Sequence, residues 1–315
     1  MKKLSLLVGC LFLGACAGSE SATTNAPASP TPTDPLYSVG GNDGSLHGAP
    51  EHVFSAKDQV GNFAKPGGGS SVLMTSHGGT ILVANKTEAI FWGSQWNTAS
   101  FAGDKITGLD SFFGGFGGSA YAGTSTEYTG TNGQVTTSST YLGHVIDGST
   151  VPSRALSVST AVSEACKVTN NAPDPNALYL IYTATGAGHV SYCAWHSYGN
   201  CSNGAPVQVA YMPNIDGIAG CDPQDTYNTG HSQGLAAVAN VTAHELSEAI
   251  TDPRNGGWYD SAGNENGDKC AWTFTSVVTL KNGSKWKLQQ EWSNAAYNAG
   301  TGNPNRSGQK GCLQG

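Results

Sequence analysis

From about residue 70 the chain alternates short apolar runs with polar and glycine-rich breaks. The runs at residues 72–74 and 80–83 flank His77-Gly78-Gly79 and predict a hairpin. Residues 88–92 (EAIFW) predict a further strand. Between Asp104 and Phe113 the apolar side chains Ile106, Leu109, Phe112 and Phe113 fall at helical spacing, and the glycine-rich stretch 114–118 ends that pattern. Residues 127–142, rich in Thr and Tyr, predict half-buried strands around Asn132-Gly133, and 156–168 predict a short helix. Residues 178–183 (LYLIYT) and 207–212 (VQVAYM) predict buried strands. The longest helical pattern runs from about Ser232 to Thr251. It stops at Asp252-Pro253, because the residue before a proline disfavours helical backbone. Two last runs, 276–280 and 285–291, flank Asn282-Gly283 and predict a second hairpin. Strands and helices interleave without a regular βαβ period. The expectation is a single α+β domain over residues 70–315, with a mixed sheet and one long helix.

The N-terminus has a different pattern. Lys2 and Lys3 precede an apolar stretch at 4–13 and the tetrapeptide Leu13-Gly14-Ala15-Cys16, the anatomy of an export signal over residues 1–16. The tetrapeptide resembles a bacterial lipobox, which makes Cys16 the expected lipid anchor; ordinary cleavage after Ala15-Cys16-Ala17, leaving an extracellular protein, is the competing reading. Residues 17–69 are rich in Ser, Thr, Pro and Gly and are expected to form an extended tether. Six further cysteines, Cys166, Cys193, Cys201, Cys221, Cys270 and Cys312, predict three disulfides in an exported chain, with Cys193–Cys201 the expected local pair. Composition narrows the partners. With 15 Lys and Arg against 22 Asp and Glu there is no basic footprint for nucleic acid, and no internal run is long enough to span a membrane.

The candidate chemistry sits near the end of the long helix, in His244-Glu245-Leu246-Ser247-Glu248. Positions four apart share a helix face, so His244 and Glu248 are expected to grip one cation while Glu245 points beside them toward water. This is the HExxH zinc-helix pattern with Glu as its second ligand. Downstream, Asn264-Glu265-Asn266-Gly267-Asp268 resembles the N-E-x-x-D-type element of thermolysin-like metallopeptidases. That resemblance implies Glu265 as the third ligand and Asp268 as the partner that orients His244. The expected site is therefore His244, Glu248 and Glu265 around zinc or another divalent cation, with Glu245 as general base. Tyr259 is the candidate oxyanion donor and Asp252 a further carboxylate. Gly230-His231-Ser232-Gln233-Gly234 matches the serine-hydrolase elbow G-x-S-x-G. It lacks a buried strand before it, and no acid lies between Ser232 and the only later histidine, so it reads as a helix entry. The histidines at 47, 52, 77, 144, 189, 196 and 231 are expected at the surface or satisfied in the core.

The stretch Ile90-Phe91-Trp92-Gly93, residues 178–183 followed by Cys193 and Cys201, and the helix ending Thr251-Asp252-Pro253 before Gly256-Gly257-Trp258-Tyr259 together resemble the phosphate-induced, EXORDIUM-like family. The chain looks like a bacterial-type member carrying an HExxE helix. The resemblance implies an exported, disulfide-bonded, envelope-associated protein. With the helix motif, the expectation is a zincin-like, disulfide-stabilised metallopeptidase-like hydrolase acting on peptide or cell-wall substrates. A non-catalytic glycan-binding or signalling module is the alternative.

Overall fold

The computed structural model describes residues 52–57 and 72–315. The export signal, Cys10, Cys16, His47 and all of the tether except 52–57 lie outside the described residues. The centre of the fold is a six-stranded mixed sheet of His52–Ser55 (β1), Asn85–Trp92 (β2), Ser139–Asp147 (β3), Ala177–Thr183 (β4), Tyr192–Asn200 (β5) and Pro206–Met212 (β6). Their spatial order is β1-β5-β6-β4-β2-β3, with β5 antiparallel to both of its neighbours and every other pairing parallel. All seven residues of β4 are buried, as expected for an apolar run covered on both faces.

Helices cover both sides. Lys105–Phe116 (α1) bridges β2 to β3 and Gln233–Thr251 (α3) follows β6. Both pack in one core with Phe54, Phe91, Leu180 and Met212. Val158–Val168 (α2) bridges β3 to β4 and packs on the opposite face with Ile90, Ile181, Trp195 and Val209. The expectation of an α+β arrangement is corrected accordingly. Parallel crossovers with helices on both faces make a layered, mixed α/β fold, and the antiparallel β5 hides the βαβ period in the sequence.

Helix α3 is the structural spine. Its first turn is capped by Ser232, whose Oγ accepts from Leu235 N at 3.1 Å and donates to Asp104 Oδ1 at 2.5 Å. That contact accounts for the G-x-S-x-G string: Ser232 is a helix cap, with Gly230 in the left-handed region at φ 91°. At the other end Asp252 Oδ1 accepts from the amides of Gly256 and Gly257, both at 2.8 Å, and folds the chain back. Nearly every residue between these ends is buried. Its alanines let neighbours approach closely, and its buried polar side chains must find partners inside the protein.

Several local expectations change. The hairpin expected around residues 77–79 does not form, because Thr75–Ser76 pairs instead with Trp258–Tyr259. Helix α1 runs through Gly114 and Gly115 to Phe116. The hairpin around Asn282-Gly283 forms as expected, with Val278 opposite Trp286, while Glu291–Trp292 pairs with the C-terminal strand Lys310–Leu313. Within the stretch expected to be tether, residues 52–55 form the edge strand β1.

The three disulfides are Cys166–Cys201, Cys193–Cys221 and Cys270–Cys312. The expected Cys193–Cys201 pair is excluded because β5 is extended between them. Eight residues of strand separate their backbones by about 26 Å, far beyond disulfide reach. Three buried disulfides indicate an oxidising environment such as exported proteins meet. Among the described residues no helix is long and apolar enough to cross a membrane. Replacing both Cys166 and Cys201 by Ser should cost about 2–4 kcal/mol in urea unfolding, and peptide mapping of the oxidised chain should recover these three pairs.

Candidate metal centre

Helix α3 places His244, Glu245 and Glu248 in the interior, and all three side chains are fully buried. The short helix Asn266–Lys269 (α4) approaches from one side and strands β1 and β5 from the other. His244 Nε2 lies 2.9 Å from Glu248 Oε1 and 3.7 Å from Asp268 Oδ1. The Asp268 amide donates to Glu248 Oε1 at 2.9 Å and fixes that carboxylate against α4. Close approach of α4 depends on Gly267. A Cβ there would stand 2.8 Å from His244 Nδ1 and 2.9 Å from Glu248 Oε1.

Two further imidazoles complete the cluster, and both were expected elsewhere. His196 lies on β5 and His52 on β1, directly opposite each other in the antiparallel register, with ring centroids 5.0 Å apart. His196 Nδ1 is 3.0 Å from Glu245 Oε2 and 3.6 Å from Glu248 Oε2, and its Nε2 is 3.6 Å from Glu265 Oε2. His52 Nδ1 lies 2.6 Å from that same Glu265 oxygen. Phe54, two residues along β1, stacks on His244 at 3.8 Å and on Trp272 at 4.6 Å. The edge strand thus covers the cluster.

The expected ligand set is divided between two places. His244 and Glu248 converge with Asp268, while Glu265 converges with His52 and His196. Asp268, expected to orient His244, faces the same imidazole nitrogen that Glu248 faces. The residue at His244 Nδ1 is Gln289, whose Nε2 is 2.9 Å away. The same Gln289 nitrogen donates to the Gly267 carbonyl at 3.0 Å, and the Gln289 oxygen accepts from the Trp272 amide at 3.3 Å. Gln289 therefore fixes the ring from its Nδ1 side and leaves Nε2 toward Glu248 and Asp268. Tyr259 stacks on His77 at 3.5 Å on the two-stranded ribbon. Asp252 is engaged by the two glycine amides already described. His231 stacks on Trp286 at 4.0 Å and contacts the Lys285 carbonyl.

His196 was legible in principle. Ala194 and His196 alternate with Trp195, a strand pattern that puts the imidazole on the α3 side. The polar and glycine residues at 196–200 cut that alternation short.

Electrostatics fit a cation here. Burial pushes Glu245 and Glu265 well above the usual carboxylate range and Asp268 up to about 7. Burial opposes charge on His244 too, but the Glu248 carboxylate outweighs it and lifts the imidazole to about 9. Glu248 is in turn held below its ordinary value by that imidazole, against the burial that favours its neutral form. Burial, aided by His52, lowers His196 to about 4 and keeps it neutral. His196 Nε2, Glu248 Oε2 and Glu265 Oε1 make no hydrogen bond, and His244 Nε2 and Glu265 Oε2 are met only by other members of the cluster. Buried imidazole and carboxylate atoms without hydrogen bonds, converging from four elements, are what a divalent ion requires. The cluster can hold one.

Comparison with known proteins finds no matching family model, no matching curated protein and no matching solved structure.

Two outcomes follow from the geometry. Gly267→Ala should displace His244 or Glu248, costing about 1–3 kcal/mol in stability and weakening divalent-ion uptake measured by equilibrium dialysis. Protons on Asp268 and His244 compete with the ion. Affinity should therefore rise as pH increases through about 7 toward about 9 and fall below that window. Calorimetry in buffers of differing ionisation enthalpy should register proton release on binding.

Proposed function

We propose that the chain is an exported metal-dependent hydrolase acting on peptide bonds at the bacterial cell envelope, with its reacting centre at His244, Glu248 and Asp268. One observation carries the reading. These three donors converge on one point, and Asp268 keeps a side chain 23% exposed, so this end of the buried cluster is the one that reaches solvent. Three protein donors leave a fourth position for water, as catalytic zinc sites do.

A divalent cation held there would supply Lewis acidity, polarising a carbonyl and acidifying water. One imidazole and two carboxylates carry a formal charge of −2, which weakens that acidity and favours zinc or an ion with more taste for oxygen. The protein's own part falls to Glu245. Its Oε2 is engaged by His196 at 3.0 Å, and Oε1 makes no hydrogen bond. Burial raises its affinity for a proton. Glu245 therefore suits a base that takes a proton from water at Oε1 and returns it to the departing amine. Gln289 holds His244 in orientation, and the Asp268 amide holds Glu248. Phe54 and Trp272 form a dry wall on the far side. The resemblance to the EXORDIUM-like family supports export, and the N-terminal signal with Cys16 as lipid anchor belongs to the same reading.

The depth of burial favours a second reading, a wall- or matrix-binding module in which the ion is structural. Glu245→Gln separates the two. On the hydrolase reading it keeps its metal and loses about 100-fold or more in kcat on a mixed peptide library. If metal-loaded wild type cleaves nothing in that library yet is retained on purified cell-wall glycan, the hydrolase reading is wrong.

A further inference from the structure

We propose that His52, His196 and Glu265 form a second divalent-cation site, of zinc type, that fastens strand β1 to the domain. The site goes beyond the hydrolase reading and stands on three other side chains.

The donors are His52 Nδ1, His196 Nε2 and Glu265 Oε2, all mutually within 4.8 Å. Two imidazoles and one carboxylate are a donor set that zinc favours. The stronger argument is what surrounds them. A histidine that ligates through one nitrogen must carry its proton on the other, and that proton needs an acceptor. His196 Nδ1 faces Glu245 Oε2 at 3.0 Å, and His52 Nε2 faces Asn255 Oδ1. Both acceptors can take an N–H, and both leave the remaining ring nitrogen directed at Glu265. His52 Nδ1 and Glu265 Oε2 have only each other, at 2.6 Å, while His196 Nε2 and Glu265 Oε1 are buried without a hydrogen-bond partner. The three side chains come from three separate segments, so the space is built jointly by a strand pair and a loop. The loop is itself pinned: Asp260 Oδ1 accepts from the amides of Ala262 and Asn264, and Asp260 pairs with Lys269 at 2.9 Å.

The two donor sets share no residue. They meet where His196 Nδ1 comes within 3.6 Å of Glu248 Oε2. They also differ in access. Glu265 and His196 are fully buried, and His52 is 90% so. The second site is buried, whereas the first has an edge at solvent through Asp268. Its mechanical consequence falls on β1, a four-residue edge strand that a short ladder alone holds weakly.

The test is zinc stoichiometry of the full chain, loaded by dialysis and read by elemental mass spectrometry, with hydrogen exchange at residues 53–55. Wild type is expected to bind two equivalents. His52→Gln and His196→Gln should each keep one, and His244→Gln should also keep one. Asn255→Gly preserves all three donors and suits the local backbone, where φ is 59°. It should weaken the second equivalent about 10-fold or more. Zinc should slow exchange at residues 53–55 in wild type and not in His52→Gln. A single equivalent, lost in His244→Gln and unaffected by His52→Gln, overturns the second site and leaves the hydrolase centre standing. A single equivalent lost in His52→Gln and kept in His244→Gln supports the second site and removes the first. No bound zinc in any variant overturns both.

Discussion

The structure depends on how it disposes of buried negative charge. Glu245, Glu248 and Glu265 are fully enclosed, Asp268 is partly so, and their ion-pair partners among the described residues are histidines. Burying a carboxylate costs several kcal/mol even after the surroundings relax. Four of them would consume a domain stability of about 5–15 kcal/mol unless protons or cations neutralise them. Burial already raises the proton affinity of Glu245, Glu265 and Asp268, so protons are one way to neutralise them, and a bound cation would compete with those protons. A divalent ion neutralises two charges at once and satisfies the imidazole lone pairs that face inward. Ion binding at this cluster would therefore be coupled to folding stability through the buried helix α3.

That constraint explains features of the fold far from the cluster. Helix α3 can carry charged groups in its interior turns only because it is covered on every side, by the sheet, by α1 and by α4. Gly267 lets α4 close in, and the Cys270–Cys312 disulfide anchors the chain just beyond α4. Gln289 does double duty. Its backbone amide donates to Asn240 Oδ1 on α3 at 2.8 Å, and its side chain spans from the Gly267 carbonyl to His244. These contacts make the cluster a junction of four chain segments rather than a patch on one helix.

Much of this was legible in the sequence where a local pattern carried it. The 3.6-residue period and the Asp252-Pro253 stop defined α3. The i, i+4 rule put His244 and Glu248 together, and the wholly apolar run at 178–183 gave the central strand. What escaped had long-range causes. His52 was hidden in a stretch whose composition suggests a tether, and nothing local says that four of its residues add to a sheet edge. His196 was hidden because β5 has one wet and one dry end, so its alternation is short. The division of the acids, Asp268 to His244 and Glu265 to the other two histidines, depends on the turn at Asp260–Asn264. No spacing rule encodes that turn. The disulfides failed for the same reason: proximity along the chain pointed to Cys193–Cys201, and an extended strand forbids it.

The cross-strand register links these misses. Once β1 pairs antiparallel with β5, His52 must face His196, and Phe54, two residues on, must face the same side and meet His244. A one-residue slip of β1 would turn His52 and Phe54 to the opposite face and leave Glu265 with His196 as its one imidazole. The ladder is too short to enforce its own register, so the side chains must enforce it. Phe54 stacks between His244 and Trp272, and the indole nitrogen of Trp272 donates to the Ser55 carbonyl at 2.9 Å. Packing at one end of β1 and the histidine–glutamate contact at the other therefore select the same alignment. A metal-type cluster in the interior and an edge strand at the margin are, in this architecture, two consequences of one register.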